Sequence, residues 1–308
     1  MLDGSKRLFK LSLQHAWVVS ICLTMFTIIS CQHTSHVPLA QSDNNIVFEC
    51  WGQRRYPDAP LCQLSLRSGQ QTFIQNSEHA LIGPLTQAPD GKTIAFTDII
   101  PMTDENGHGY TTRSIILLNS DGNRTIFCYD CMSPSWSSDG LSLAFVDLTQ
   151  STLSLKTALI DGTNELEIVD KITKSDIRIT WSPDSHYLAY ENQNLSGEWA
   201  IWIVESGGGV PSQLTTGRYP AWSPVADIIA FVRDGDIWII STKDKTEHLL
   251  IDDPVGASWP AWAPDGQQLV FVSSRDGNWE IYRSDYSGMN VERLTNNPDW
   301  DDFPTWGP

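Results

Sequence analysis

From residue 44 onward the chain alternates short apolar runs with polar turns, and no stretch of it carries a helical period. In "QQLVFVSS" (residues 267–274) apolar residues follow one another without alternation, as in a strand covered on both faces. The segments "EIYRSD" (280–285), "DIWII" (236–240) and "WAIWIV" (199–204) supply a second strand. "VERLT", "HLLID" and "SQLT" supply a shorter, more polar outer one. Between them, Pro264-Asp265-Gly266 and Asp276-Gly277-Asn278 put Asp, Gly and Asn where tight hairpins need positive φ or a side-chain cap. The pattern predicts an all-β chain.

The same pattern returns at regular intervals. "PSWSSDGLSLAFV" starts at Pro134, "ITWSPDSHYLAY" at Ile179, "PAWSPVADIIAFV" at Pro220 and "PAWAPDGQQLVFV" at Pro260. A worn copy, "LTQAPDGKTIAF", starts at Leu85, and a truncated one, "PTWGP", ends the chain. The anchors Gln87, Trp136, Trp181, Trp222, Trp262 and Trp306 are spaced by 49, 45, 41, 40 and 44 residues. That period suits propeller blades of four short strands and is too long for ankyrin or tetratricopeptide helices. "NNIVFEC", "LCQLSL" and "QTFIQ" read as strands two to four of a unit without its first strand; "DDFPTW" reads as a first strand without successors. Joined, they complete a sixth blade, so residues 44–308 are expected to form a six-bladed β-propeller of four-stranded blades, closed by the N- and C-terminal strands. The Pro-x-Trp strands are expected to line the tunnel, with the indoles wedged between blades.

The unit Pro-x-Trp-Ser-Pro-Asp-Gly, an apolar strand ending Ala-Phe or Ala-Tyr, then Ser-x-Arg-Asp-Gly-Asn-x-x-Ile-Tyr, resembles the PD40, WD40-like repeat of TolB-like β-propellers. Residues 274–282 and the tail "LTNNPDWDDFPTW" carry the resemblance most clearly. It implies the fold over everything after residue 44. It leaves function open, because the repeat occurs in periplasmic scaffolds, in the propellers of prolyl-oligopeptidase-type peptidases and in envelope proteins.

The first thirty residues are of another kind. Lys6, Arg7 and Lys10 precede the apolar stretch "AWVVSICLTMFTIIS" (16–30), which is short for a membrane span and suits a signal peptide. It runs into Ile28-Ile29-Ser30-Cys31, which resembles a bacterial lipobox and implies a lipidated Cys31; ordinary cleavage and an uncleaved anchor are the alternatives. Residues 31–43 then read as a polar tether. Gln32 after the cysteine implies the periplasmic face of the outer membrane. The formal net charge of the chain is −17. Such a surface repels phosphate and argues against nucleic acid as a partner.

Cys50, Cys62, Cys128 and Cys131 remain, an even number that suggests disulfides in an exported chain. A hairpin would bring Cys50 to Cys62. Cys128-Tyr129-Asp130-Cys131 has the spacing of a redox or metal pair, but no helix follows to lower a thiol pKa and no second pair or histidine completes a zinc site. A small structural loop is expected there.

No catalytic motif is legible. "GASWP" (256–260) breaks the Gly-x-Ser-x-Gly pattern at its last position. "SSRDGNW" (273–279) fits the repeat's hairpin better than the sialidase Asp-box. "DDP" (252–254) and "DWDD" (299–302) hold acids but lack a calcium-loop signature, and the histidines are scattered. No metal and no cofactor is expected. The reading that results is a lipid-anchored envelope propeller that serves as a protein-binding or scaffold module. The alternative is a propeller enzyme of hydrolase or lyase type with a site in the central tunnel. Partner chemistry is expected in the loops before each Pro-x-Trp, at residues 128–133, 174–178, 216–219, 254–259 and 297–302. There Arg178, Arg218, Tyr219, Trp259 and Trp300 are residue types common at binding hot spots, and Asp301 and Asp302 could meet a basic group of an envelope protein or peptide.

Overall fold

The computed structural model describes residues 45–50, 60–75 and 83–307; Cys31, the apolar stretch before it and the tether lie outside the described residues. Six antiparallel sheets of four strands make six blades. The first joins β24 (Asp301–Trp306) to β1 (Asn45–Cys50), β2 (Leu61–Ser65) and β3 (Gln71–Gln75). The second holds β4 (Thr86–Gln87), β5 (Thr93–Thr103), β6 (Gly109–Asn119) and β7 (Arg124–Tyr129). The third holds β8 (Cys131–Trp136), β9 (Ser142–Asp147), β10 (Leu153–Leu159) and β11 (Leu166–Ile172). In the fourth, β12 (Ile179–Trp181) precedes β13 (Tyr187–Gln193), β14 (Trp199–Glu205) and β15 (Ser212–Thr216). The fifth runs β16 (Arg218–Trp222), β17 (Ile228–Arg233), β18 (Asp236–Ser241) and β19 (Glu247–Ile251). The sixth runs β20 (Ala257–Trp262), β21 (Gln268–Ser273), β22 (Glu280–Asp285) and β23 (Glu292–Arg293).

The chain is therefore the expected six-bladed, all-β propeller. Its ring closes where Ile46 faces Trp306 and Cys50 faces Asp301 across the β1–β24 ladder. The hairpin β5–β6 extends beyond the blade pattern, pairing through Pro101 and Thr111 to Thr103 and Gly109.

The core lies between blades and not inside them. Six apolar clusters among the described residues each draw on two neighbouring blades, for example Ile46, Phe48, Val270, Ile281 and Trp306 between the sixth and the first. This is why the second strands are apolar on both faces: one face meets each neighbour. Trp181, Trp222, Trp262 and Trp306 are buried in these layers. Three of their indoles reach back one blade: Trp181 Nε1 donates to Ser135 O, Trp262 to Ala221 O and Trp306 to Ala261 O, each at 3.0 Å. Because each carbonyl belongs to the residue before the preceding anchor, the inner strands keep one common height around the axis.

The Asp of each Pro-Asp-Gly-like turn caps a backbone N–H two residues on: Asp90 for Lys92, Asp139 for Leu141, Asp184 for His186 and Asp265 for Gln267. The structure joins Cys50 to Cys62 across the β1–β2 hairpin. It also joins Cys128 to Cys131, at a Cα separation of 6.0 Å, tying the outer strand of the second blade to the inner strand of the third around Asp130.

Candidate functional site

The inner strands β4, β8, β12, β16, β20 and β24 follow one another around the axis. Four of them share a defect at the same height. The ladder register slips between Met132 and Ser135, between Arg218 and Ala221, between Ser258 and Ala261, and opposite Val47 and Glu49 in the closing pair. At each slip the residue three before the tryptophan takes left-handed backbone: Ser133 (φ 58), Tyr219 (φ 54), Trp259 (φ 51) and Phe303 (φ 51). All four precede a proline. Bulky residues avoid this region, which costs on the order of 1–3 kcal/mol each and persists where the surrounding fold imposes it. The bulge re-aims these side chains.

Three of the four are aromatic and come from consecutive blades. The Tyr219 and Trp259 rings lie 4.2 Å apart and those of Trp259 and Phe303 lie 4.3 Å apart. Trp259, at the centre of the row, is 9% exposed; Tyr219 and Phe303 remain half-exposed. Arg218 stands at the end of the row, 4.4 Å over the Trp199 ring and 4.6 Å over Tyr219. Gly217, just before it, packs against Phe231: a β-carbon there would sit 2.6 Å from that ring, and its φ of 149° is open to glycine.

Beneath the arginine, Glu191 is fully buried and accepts three hydrogen bonds. They come from Arg178 N at 3.1 Å, Arg218 Nε at 3.0 Å and Tyr219 N at 3.2 Å. Burial raises its pKa against the pull of Arg218. On the opposite flank Glu49, in the same strand position of the first blade, faces Asp302 across the ladder. Burial lifts the Glu49 pKa well above the usual carboxylate range, and the charge of Asp302 lifts it further. Burial pushes both Asp301 and Asp302 to about 7.

Along the axis runs a cavity of about 380 Å³. Thr86, Ser135, Thr180 and Thr305 contribute small polar side chains to its wall, and the anchor tryptophans and neighbouring prolines supply most of the rest. Arg178 is the one charged residue of that lining among the described residues. The wall continues to Pro183, Pro224 and Pro264, at the far ends of the inner strands.

The structure thus separates the residues grouped by the sequence. Arg218, Tyr219 and Trp259 meet in one row, and Arg178 lines the tunnel. Trp300 is 58% exposed on the loop before β24. Asp301 is buried and accepts a hydrogen bond from Asn297, which makes it a strut of that loop. Asp302 sits beside Glu49. Sequence reasoning overlooked Phe303, Glu191 and Glu49. Phe303 was visible as the third aromatic in the column before Pro-x-Trp. The glutamates were visible as acids in a strand position that holds Val or Thr in the other blades. Among the described residues no three His, Cys, Asp or Glu side chains gather as metal ligands.

Fold and repeat together define a TolB-like six-bladed β-propeller. Crystalline TolB from Acinetobacter baumannii superposes with a TM-score of 0.69 at 18% identity, covering 87% of this chain and 68% of that one, a likeness of fold alone. The uncharacterized protein Atu1656 of Agrobacterium fabrum is 31% identical over 188 residues, 57% of this chain and 62% of that protein. The uncharacterized peptidase YuxL of Bacillus subtilis is 37% identical over 112 residues, 32% of this chain and 17% of its own length. The chain thus spans less than two thirds of either relative. No protein-family model matches the sequence.

Proposed function

We propose that this chain is a lipid-anchored propeller of the bacterial envelope that binds a protein or peptide segment at the bulged mouth of its tunnel, acting as a binding or scaffold module and not as an enzyme. The observation that carries the reading is the row Tyr219–Trp259–Phe303, held in costly backbone by three blades at once. Strain retained at one height in successive repeats argues for a role beyond packing. Beside the bulged inner strands, Tyr129 at the end of β7 and Val255 and Trp300 in the entering loops are 49%, 55% and 58% exposed. Large apolar side chains gathered around a rigid opening are the usual substance of a binding surface. The lipid anchor rests on the lipobox-like Ile28-Ile29-Ser30-Cys31.

The test is crosslinking in intact cells of the host, followed by mass spectrometry of what the chain captures. Tyr129→Ser, Val255→Ser and Trp300→Ser combined remove exposed groups only, so the melting temperature is expected to stay within a few degrees of wild type. Capture of the native partners is expected to fall about tenfold or more. Full capture by the triple variant would rule out the mouth as the binding surface. In the same cells a Cys31→Ala chain is expected to lose its lipid by intact mass.

A further inference from the structure

The tunnel below the mouth contains an arginine without an anion. Among the described residues the half-buried arginines are Arg178, Arg218, Arg233, Arg275, Arg283 and Arg293. Five of them each hold a carboxylate: Glu191, Glu247, Asp253, Glu292 and Glu280 in that order. Arg178 holds none. Its Nη1 is closed to solvent and makes no hydrogen bond, while other atoms of the residue line the cavity. The nearest acid, Glu191, takes the backbone N–H of Arg178 with one oxygen and spends the other on Arg218 and Tyr219. Burial lowers the Arg178 pKa to about 10 against the opposing pull of Glu191, the direction expected of a guanidinium that lacks a full partner. A buried guanidinium nitrogen left without an acceptor is costly, and such a group in a residue that lines a cavity marks a candidate binding site.

We propose that the tunnel binds one carboxylate group, gripped by the Arg178 guanidinium, with the uncharged remainder of the ligand extended along the hydroxyl-bearing wall toward Pro183, Pro224 and Pro264. A planar guanidinium matches a carboxylate fork to fork. One cation in an otherwise neutral cavity matches a monoanion; phosphate would bring a second charge with nothing in the wall to meet it. The cavity's 380 Å³ falls within the range of small-ligand sites and admits the end of a narrow chain. The carboxylate could belong to the free C-terminus of a peptide or to a small sugar acid. The inference deepens the binding reading above and rests on it only in treating the chain as a binder.

Calorimetric titration of the full chain with triglycine, triglycine amide, glucuronate and inorganic phosphate tests it. Triglycine or glucuronate is expected to bind, and whichever binds more tightly identifies the source. Triglycine amide and phosphate are expected to bind at least about tenfold more weakly than the preferred acid, since a hydrogen bond to a charged group is worth one to two decades. Arg178→Gln is expected to abolish the preference for acid over amide without lowering the melting temperature. Arg178→Lys is expected to keep the preference at reduced affinity. Equal binding of acid and amide, unchanged acid binding by Arg178→Gln, phosphate binding as tight as either acid, or no acid binding up to about 10 mM would each overturn the proposal. Loss of partners by the mouth variant, set against any of those results, would leave the mouth reading intact and remove only this one.

Discussion

At the scale of single residues, the mouth is built from groups that the fold holds against their solution preferences. Asp301 and Asp302 titrate near 7 instead of the ordinary 3.8, because burial disfavours their charged forms. The sign of the consequence follows from proton counting. Between about pH 4 and pH 7 the folded chain retains protons that the unfolded chain has released. Stability therefore falls as pH rises through that window, and the whole penalty is present above it. Glu49 acts in the same direction. The carboxylates held low by partners, such as Asp147 and Glu247, lose their contribution only in more acidic solution. Urea unfolding is accordingly expected to show the protein more stable at pH 5 than at pH 8, by on the order of 2–4 kcal/mol. Asp302→Asn should shrink the difference. Equal or greater stability at pH 8 would show that these two carboxyls are ionised in the fold at little cost.

At the scale of elements, the inner strand does two jobs, and only one of them was legible in the sequence. Its tryptophan column was readable because period and spacing survive in five of six copies. The worn copy with Gln87 still forms a strand, reduced to Thr86–Gln87. The bulge was not readable. Nothing in Tyr219-Pro220 or Phe303-Pro304 distinguishes an extended strand from one that turns left-handed, because the conformation is imposed by the neighbouring strand's register. Hence the position of Tyr219 and Trp259 before Pro-x-Trp marks them for the mouth, while their contact with Phe303 and the buried Glu191 beneath them is set only by the three-dimensional fold. The structural job can be measured separately. Trp262 Nε1 bonds to Ala221 O, whereas Trp222 Nε1 has no partner among the described residues, although both rings are buried to the same degree. Phenylalanine at each position removes the indole N–H. Trp262→Phe is thus expected to cost about 1 kcal/mol more than Trp222→Phe in urea unfolding, the worth of one hydrogen bond with its carbonyl left unpaired. Equal costs would mean that the ring alone, and not its reach to the preceding blade, locks the inner strands at one height.

At the scale of the molecule, stability belongs to the ring. Each blade is covered on both sides by its neighbours, so no blade owns a core, and the six apolar layers are complete only when the last meets the first. That meeting depends on β24, which supplies the missing edge of β1 and places Trp306 in the layer between the sixth blade and the first. Removing residues 301–308 would leave β1 with an unpaired edge and take Trp306 out of a layer it shares with Phe48. Truncating a core tryptophan alone costs about 3–5 kcal/mol, which for a chain of this size lowers the melting temperature by about 10 °C or more. The opened ring is also expected to unfold over a broader range, since blades with a single neighbour no longer rise and fall together. A synthetic peptide of residues 297–308 can re-enter as an added strand, because the β1 edge offers it the same ladder that β24 uses. Its effect should grow with peptide concentration, as for any ligand that binds only the folded state. A peptide carrying alanine at the position of Trp306 should restore much less. If the shortened chain melts as sharply and as high as the full one, closure by the terminal strands is not what holds the propeller together, and the interblade layers must be self-sufficient without the sixth seam.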